Sequence, residues 1–291
     1  MSHALRGYLF VMGAAVIWAT LGPLTRLLIS EHQLSALAIP FLRAALAALA
    51  LFVGLALTRR DLLRFPRGAG WLLAGFGVVG VGGFYLALVK AFELAGVALA
   101  VVLMYTAPVW TALGGALFLH EPLTLRKAAA LALALFGAGL VARVYDPAFI
   151  RLSLPGVLAG MGASLGYAVF SLLTKLAVGR VDPRTMSLYG FGLGALALLP
   201  FQGAGLSAAL NPRVWPLLAV MVAGPTLGSW ALFSRGLRAV PVSSATIVAS
   251  IEPVIANLLA YFMFGELLTP LQLAGGGLIL AAVVVLQTGS A

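Results

Sequence analysis

Apolar positions in this chain gather into runs of roughly 20 residues, the length a helix needs to cross ~30 Å of hydrocarbon. Runs at 8–29, 35–58, 70–89, 97–118, 125–144, 155–178, 184–202, 214–235, 242–264 and 270–287 predict ten transmembrane helices. The polar stretches between them are short. The longest is TRRDLLRFPRG at 58–68, a basic loop. RVYDPAFIRLSLPG at 143–156 joins two groups of five, with Asp146-Pro147 ending the fifth helix and Pro155 opening the sixth.

The same pattern is written twice. An offset of 145 places VALAVVLMYTAPVWTALGGALFLHEPLT (97–124) on VSSATIVASIEPVIANLLAYFMFGELLT (242–269), so that Pro108 meets Pro253 and Glu121 meets Glu266. It also sets Tyr85 on Trp230 and Lys90 on Arg235, while an offset of 149 sets Trp18 on Tyr167 and Arg26 on Lys175. These matches divide the chain into a first repeat, 1–148, and a second, 149–291. Five spans per repeat is an odd number, so the second copy enters the bilayer from the opposite side. The expected fold is therefore an all-α membrane protein of ten transmembrane helices in two inverted five-helix repeats. That symmetry suits alternating access, because exchanging the conformations of the halves exchanges the open face.

Composition agrees. Hydrophobic residues make up 62% of the chain and charged residues 9%, against about 25% in a soluble domain. The net charge of +10 would suit nucleic acid, but its distribution reports topology instead. Arg6, the four arginines of 59–67, Arg126, Lys127, Lys175, Arg180, Arg184, Arg235 and Arg238 fall on one side, twelve in all. Arg26, Lys90, Arg143, Arg151 and Arg213 fall on the other, and Arg43 lies inside the second span. Twelve against five predicts both termini in the cytoplasm. With no cysteine, disulfides and thiolate metal sites are excluded, and His3, His32 and His120 are too scattered to hold a metal. The first apolar run is too long for a signal-peptide core and is expected to be retained as a helix.

Several residues invite a functional reading. Trp18 and Tyr167 are repeat equivalents near mid-span, whereas Trp and Tyr usually favour the membrane interfaces. They point to a hydrated cavity with aromatic walls or, more simply, to aromatic core packing. Tyr85 and Trp230 form a second pair, and Tyr105 and Trp110 flank Pro108. Pro108 and Pro253 are expected to kink their helices and free carbonyls near Met104 and Ala249. Glu252 is an intramembrane carboxylate with Ala107 as its counterpart; it would meet a substrate ammonium, carry a proton, or pair structurally with Arg43. Lys90 is read as snorkelling, or as attracting a carboxylate at the outer mouth. Glu121 and Glu266 are expected to cap the helices that follow them. Gly-Xaa3-Gly pairs at 156/160, 162/166, 190/194 and 224/228 are expected to pack helices closely.

The two mid-helix prolines, each followed about 13 residues on by HEPLT or GELLT, resemble the EamA family of the drug/metabolite transporter superfamily. KAFELAGVALAVVLMYTAPVWTAL at 90–113 is most similar to bacterial amino-acid exporters, the aromatic ones included. The resemblance implies a secondary transporter that exports small metabolites, amino acids foremost, through a central aromatic-lined cavity in a bacterial inner membrane. Its substrate-binding candidates are Trp18, Tyr85, Lys90, Tyr105, Trp110, Tyr167, Trp230 and Glu252. The partners are a small molecule, the bilayer and protons as a coupling ion, with no cofactor, in a monomer or weak oligomer. Export of organic cations or drugs is the alternative within the superfamily. A membrane-embedded enzyme is the alternative outside it, but the chain carries no catalytic motif.

Overall fold

Glycine and proline decide where this backbone departs from straight α-helix. A computed structural model describes residues 3–150 and 152–287, so Arg151, counted above with the outer cations, lies outside the described residues. Among the described residues every regular element is helical. The first half runs α1 (His3–Trp18), α2 (Leu21–Ser30), α3 (Ala38–Thr58), α4 (Gly70–Ala74), α5 (Phe84–Met104), α6 (Ala107–Leu119) and α7 (Leu125–Val141). The second runs α8 (Leu154–Ala177), α9 (Pro183–Leu198), α10 (Val214–Met221), α11 (Ser229–Gly236), α12 (Val242–Ala249), α13 (Glu252–Phe264) and α14 (Pro270–Gln287). Widened π-helical stretches fill Gly75–Gly83 and Val222–Gly228, the first glycine-rich and the second built around Pro225.

Length and apolarity mark six stretches able to span a membrane, namely His3–Ser30, Ala38–Thr58, Arg67–Met104, Leu154–Ala177, Val214–Gly236 and Val242–Phe264. The shorter apolar helices are Ala107–Leu119 and Pro270–Leu286. The difference from the ten predicted runs has local causes. Arg67–Met104 passes through Gly96, whose φ of 79° and ψ of 162° end one helix and begin another. Only glycine takes that conformation without strain. The α7 and α9 helices, at 17 and 16 residues, are too short to qualify by length.

The 145-residue offset is visible in the backbone itself. Both π stretches end at equivalent glycines, 83 and 228. Helix breaks fall at 105–106 and 250–251, and left-handed caps at His120 and Gly265. The halves interleave: α5 packs on α8, α7 on α14, α3 on α9 and α1 on α11. A core cluster of Tyr8, Val11, Ala130, Ala134, Phe233, Ile247 and Ala282 draws on both.

Hydrogen bonds sort the loops into two ends. At one end Thr185 donates to the Leu62 carbonyl (2.8 Å) and Lys175 to the Val240 carbonyl (2.8 Å). At the other, Ser153 donates to the Leu94 carbonyl (2.9 Å) and Gln202 to the Leu37 carbonyl (3.4 Å). Residues 62–63 and 202 thus lie at opposite ends of α9.

Small residues permit the close approaches. A Cβ on Gly160 would fall 2.6 Å from Leu103, and one on Gly190 2.2 Å from Phe76. Gly162 and Gly224 have ordinary room, so the close packing predicted from their spacing is absent there. At Gly77 a Cβ would meet the Gly190 carbonyl oxygen at 2.5 Å, whereas Gly54 faces open space. Gly77→Val is therefore expected to cost about 1–3 kcal/mol. Gly54→Ala is expected to be neutral or stabilising by about 0.5–1 kcal/mol. Thermal unfolding of the two variants in detergent checks the contrast.

Candidate functional site

Three helix breaks lie inside apolar stretches. After Trp18 the chain turns at Ala19 and Thr20 before α2, and Thr20 Oγ1 donates to the Ile17 carbonyl at 2.7 Å. Between α5 and α6, Thr106 Oγ1 bonds the Leu103 carbonyl (2.6 Å) and meets Ser164 Oγ of α8 (2.7 Å). Between α12 and α13, Ser250 Oγ donates to the Thr246 carbonyl. These hydroxyls supplement the backbone at the breaks, where the Ile17 and Leu103 carbonyls also accept from the N–H groups of Thr20 (3.2 Å) and Thr106 (3.1 Å) and no carbonyl could turn to lipid. The prolines do not kink continuous helices as predicted. Pro108 and Pro253 occupy the first turns of new helices, where a missing N–H costs nothing.

The breaks position functional groups. Trp18 closes α1, Tyr105 caps α5, and Glu252 opens α13, where the helix dipole favours a carboxylate. Trp18 meets Tyr167 edge-on at 6.4 Å and Phe233 at 5.2 Å. Tyr167 contacts Phe84 (5.8 Å), which contacts Tyr85 (4.8 Å). Phe170 stacks on Tyr167 and on Phe76, and Phe76 reaches Trp230 at 6.1 Å. Four of the eight candidates, Trp18, Tyr85, Tyr167 and Trp230, therefore join one aromatic network. Glu252 lies within electrostatic reach of the Tyr105 and Tyr167 phenols. It forms no ion pair with Arg43. The Arg43 Nε donates instead to Thr226 Oγ1 (3.0 Å), and its guanidinium lies over the Tyr85 ring.

Two candidates stand apart. Lys90 is exposed and pairs with Glu93 at 2.7 Å, one helical turn away. Trp110 makes no ring contact with the network, and its buried indole nitrogen has no hydrogen-bond partner. A recess of about 430 Å³ opens at the end that carries Glu266, lined by residues including Arg143, Asn257, Glu266 and Gln272. None of the eight candidates lines it. Phe76, Phe84, Phe170 and Phe233 supply much of the network yet carry no polar signal in the sequence. Only their spacing from Tyr85, Tyr167 and Trp230 could have drawn them in.

Glu121 does not cap the helix after it. Thr124 does, accepting from the Lys127 N–H, as Thr269 accepts from the Gln272 N–H before α14. Glu121 instead crosses to the other half and caps α12. Its carboxylate accepts from the backbone N–H groups of Val242 (2.7 Å) and Ser243 (3.2 Å) and from the Ser243 hydroxyl, with Lys127 at 3.8 Å. The repeat equivalents of 242–243 are Val97 and Ala98, but Glu266 is not bound there. It pairs with Arg26 in an exposed contact, and Val97 is 64% exposed. The latch that Glu121 makes onto α12 at one end of the molecule thus has no counterpart at Glu266, at the other end.

Apolar helices with polar, broken interiors, arranged in two interleaved halves, define a multi-pass membrane transporter. The chain belongs to the EamA-like transporter family, whose model matches residues 5–143 and again 154–288. It is similar to an uncharacterized transporter of Archaeoglobus fulgidus, 34% identical over 69% of this chain and 70% of that one. It is 26% identical, over 94% of this chain and 90% of the other, to a probable terminal-alkyne amino-acid exporter of Streptantibioticus cattleyicolor. An uncharacterized inner membrane transporter of Salmonella typhimurium is 24% identical over 100% of this chain and 98% of its own. A protein crystal structure shares the fold with a TM-score of 0.78 at 20% identity, covering 97% of this chain and 96% of that one.

Trp18→Ala removes a ring that touches both Tyr167 and Phe233. It is expected to weaken solute binding about tenfold, in keeping with about 0.5–1.5 kcal/mol for an aromatic pair, with little change in expression. Equilibrium binding to purified protein, set against yield, checks this; lost yield with unchanged affinity assigns the ring to packing alone.

Proposed function

We propose that the protein is a secondary transporter that exports small metabolites, amino acids foremost, across a bacterial inner membrane. In this reading ten spans form two inverted units, 1–148 and 149–291, with both termini cytoplasmic. The observation that carries it is Glu252, a carboxylate at a helix break within an apolar stretch, in electrostatic reach of Tyr105 and of Tyr167 in the aromatic network. A carboxylate among aromatic faces suits an ammonium group next to an apolar side chain. The name of the Streptantibioticus relative supports the amino-acid class. The opposite placement of 62–63 and 202 along α9 supports inversion of the halves. The engaged Glu121 latch and the undone Glu266 latch support alternating access, with the end bearing Glu266 open. Trp18, Tyr85, Tyr105, Tyr167, Trp230 and Glu252 form the solute path, with Trp110 at its margin and Lys90 at the outer surface.

The same carboxylate and aromatic faces also favour a second reading, efflux of organic cations. Counterflow in proteoliposomes with a panel of amino acids and quaternary ammonium compounds separates the two. Saturable flux of the cations alone rejects the amino-acid reading.

Glu252→Gln is expected to preserve folding and to flatten the pH dependence of flux, because the amide cannot exchange a proton. Flux measured across an imposed pH gradient checks this, and a wild-type pH profile in the variant assigns Glu252 to structure.

Glu121→Ala leaves the first N–H groups of α12 without their acceptor and should weaken the closed end by about 2–3 kcal/mol. The chain has no native cysteine, so a single cysteine at the buried Ala245 position reports on that end alone. It is expected to pass from protected to labelled by a membrane-impermeant maleimide.

A further inference from the structure

Arg43 is the charged side chain that the proposed path leaves unexplained. It stands in the second turn of α3, on the side of the open end, and is only 5% exposed. An arginine inside a membrane span is costly unless its charge is met. No acid meets it: the ion pairs among the described residues all involve other side chains. Its single hydrogen bond runs from Nε to Thr226 Oγ1 at 3.0 Å, and the Tyr85 ring covers the guanidinium at 5.4 Å.

That environment orients the group without neutralising it. The Thr226 hydroxyl gives its proton to the Met221 carbonyl (2.7 Å) across the widened Val222–Gly228 turn, so its oxygen is committed to accepting from Arg43. With Nε held, the end-on edge of the guanidinium, its two terminal amino groups, has no protein acceptor among the described residues. This is the edge that grips a carboxylate with two parallel hydrogen bonds. Nor does the fold require a cation here. The buried positions of the corresponding helix of the second half, α9, are all uncharged, with Thr185, Met186, Ser187, Gly190 and Phe191 among them.

We propose that Arg43 is the anchor for a substrate carboxylate, with Thr226 and Tyr85 as its positioning residues. The transported solutes are then small carboxylates, zwitterionic amino acids among them, rather than simple amines or quaternary cations. The proposal rests on the amino-acid reading above and sharpens it. A carboxylate at Arg43 fills a charge requirement that the described residues leave open. Tyr85 links this site through Phe84 to Tyr167, and so to the Glu252 region where an ammonium group is met.

The test uses the full-length protein in proteoliposomes, as wild type, Arg43→Leu and Arg43→Lys, each checked for a monodisperse profile and an unchanged thermal midpoint. Counterflow is measured for the common amino acids and for their amides, which keep the ammonium and the side chain but lose the carboxylate charge. Arg43→Leu is expected to weaken amino-acid affinity about 100-fold, as loss of a charge-assisted bidentate contact requires. Amide transport should be unaffected, and Arg43→Lys, which keeps the charge without the fork, should fall between. Amino-acid flux that survives Arg43→Leu, or amide flux that falls equally, overturns the Arg43 assignment and leaves the amino-acid reading standing. A wild type that carries amides or amines and ignores amino acids overturns both. Should wild type move neither set, stabilisation of its thermal midpoint by amino acids is the readout, and its absence, or its persistence in Arg43→Leu, overturns the assignment.

Discussion

In hydrocarbon, an N–H or a carbonyl that loses its helical partner has no water to turn to, and this constraint organises the whole molecule. Each irregularity in the backbone must be paired from within. The breaks at 105–106 and 250–251 and the turn at 19–20 are served by Thr106, Ser250 and Thr20. In the Val222–Gly228 turn, Thr226 and Ser229 serve the carbonyls of Met221 and Pro225. Once these groups are satisfied, unwound backbone is tolerated at depth, and Trp18, Tyr105 and Glu252 can be held there at fixed ends of helices.

The two halves obey the same rules without being copies. The starts of α7 and α14, the left-handed caps and the ends of the π stretches coincide at one offset. The correspondence lapses at several of the positions described above. Glu252 replaces Ala107, Arg43 has no charged counterpart among the buried positions of α9, and the α1 break at 19–20 has no counterpart in the unbroken α8. Glu121 and Glu266 are equivalent by the repeat yet have different partners, α12 for the one and Arg26 for the other.

Much of this could be read from the residues. Periodic apolar runs placed the helices, and the internal repeat paired Trp18 with Tyr167 and Tyr85 with Trp230, four residues that meet in one network. Family membership was legible from the prolines and the HEPLT and GELLT turns. What escaped were contacts between distant segments. Glu121 sits where a local capping argument applies to α7, and nothing near it in the chain shows that it reaches Val242. Arg43 and Thr226 are 183 residues apart. Pro108 was visible as a helix disturbance, but kink and clean restart differ only in the φ and ψ of Tyr105 and Thr106.

The interleaving of the halves bears on how the chain is made. The partners of α1, α3, α5 and α7 are α11, α9, α8 and α14, so the first half leaves the translocon with its small-residue faces unmatched. Those faces must be shielded by lipid or by insertion factors until the second half is synthesised. Assembly is then a single late event, and a nascent polypeptide halted near the middle would present quality-control proteases with a recognisable orphan.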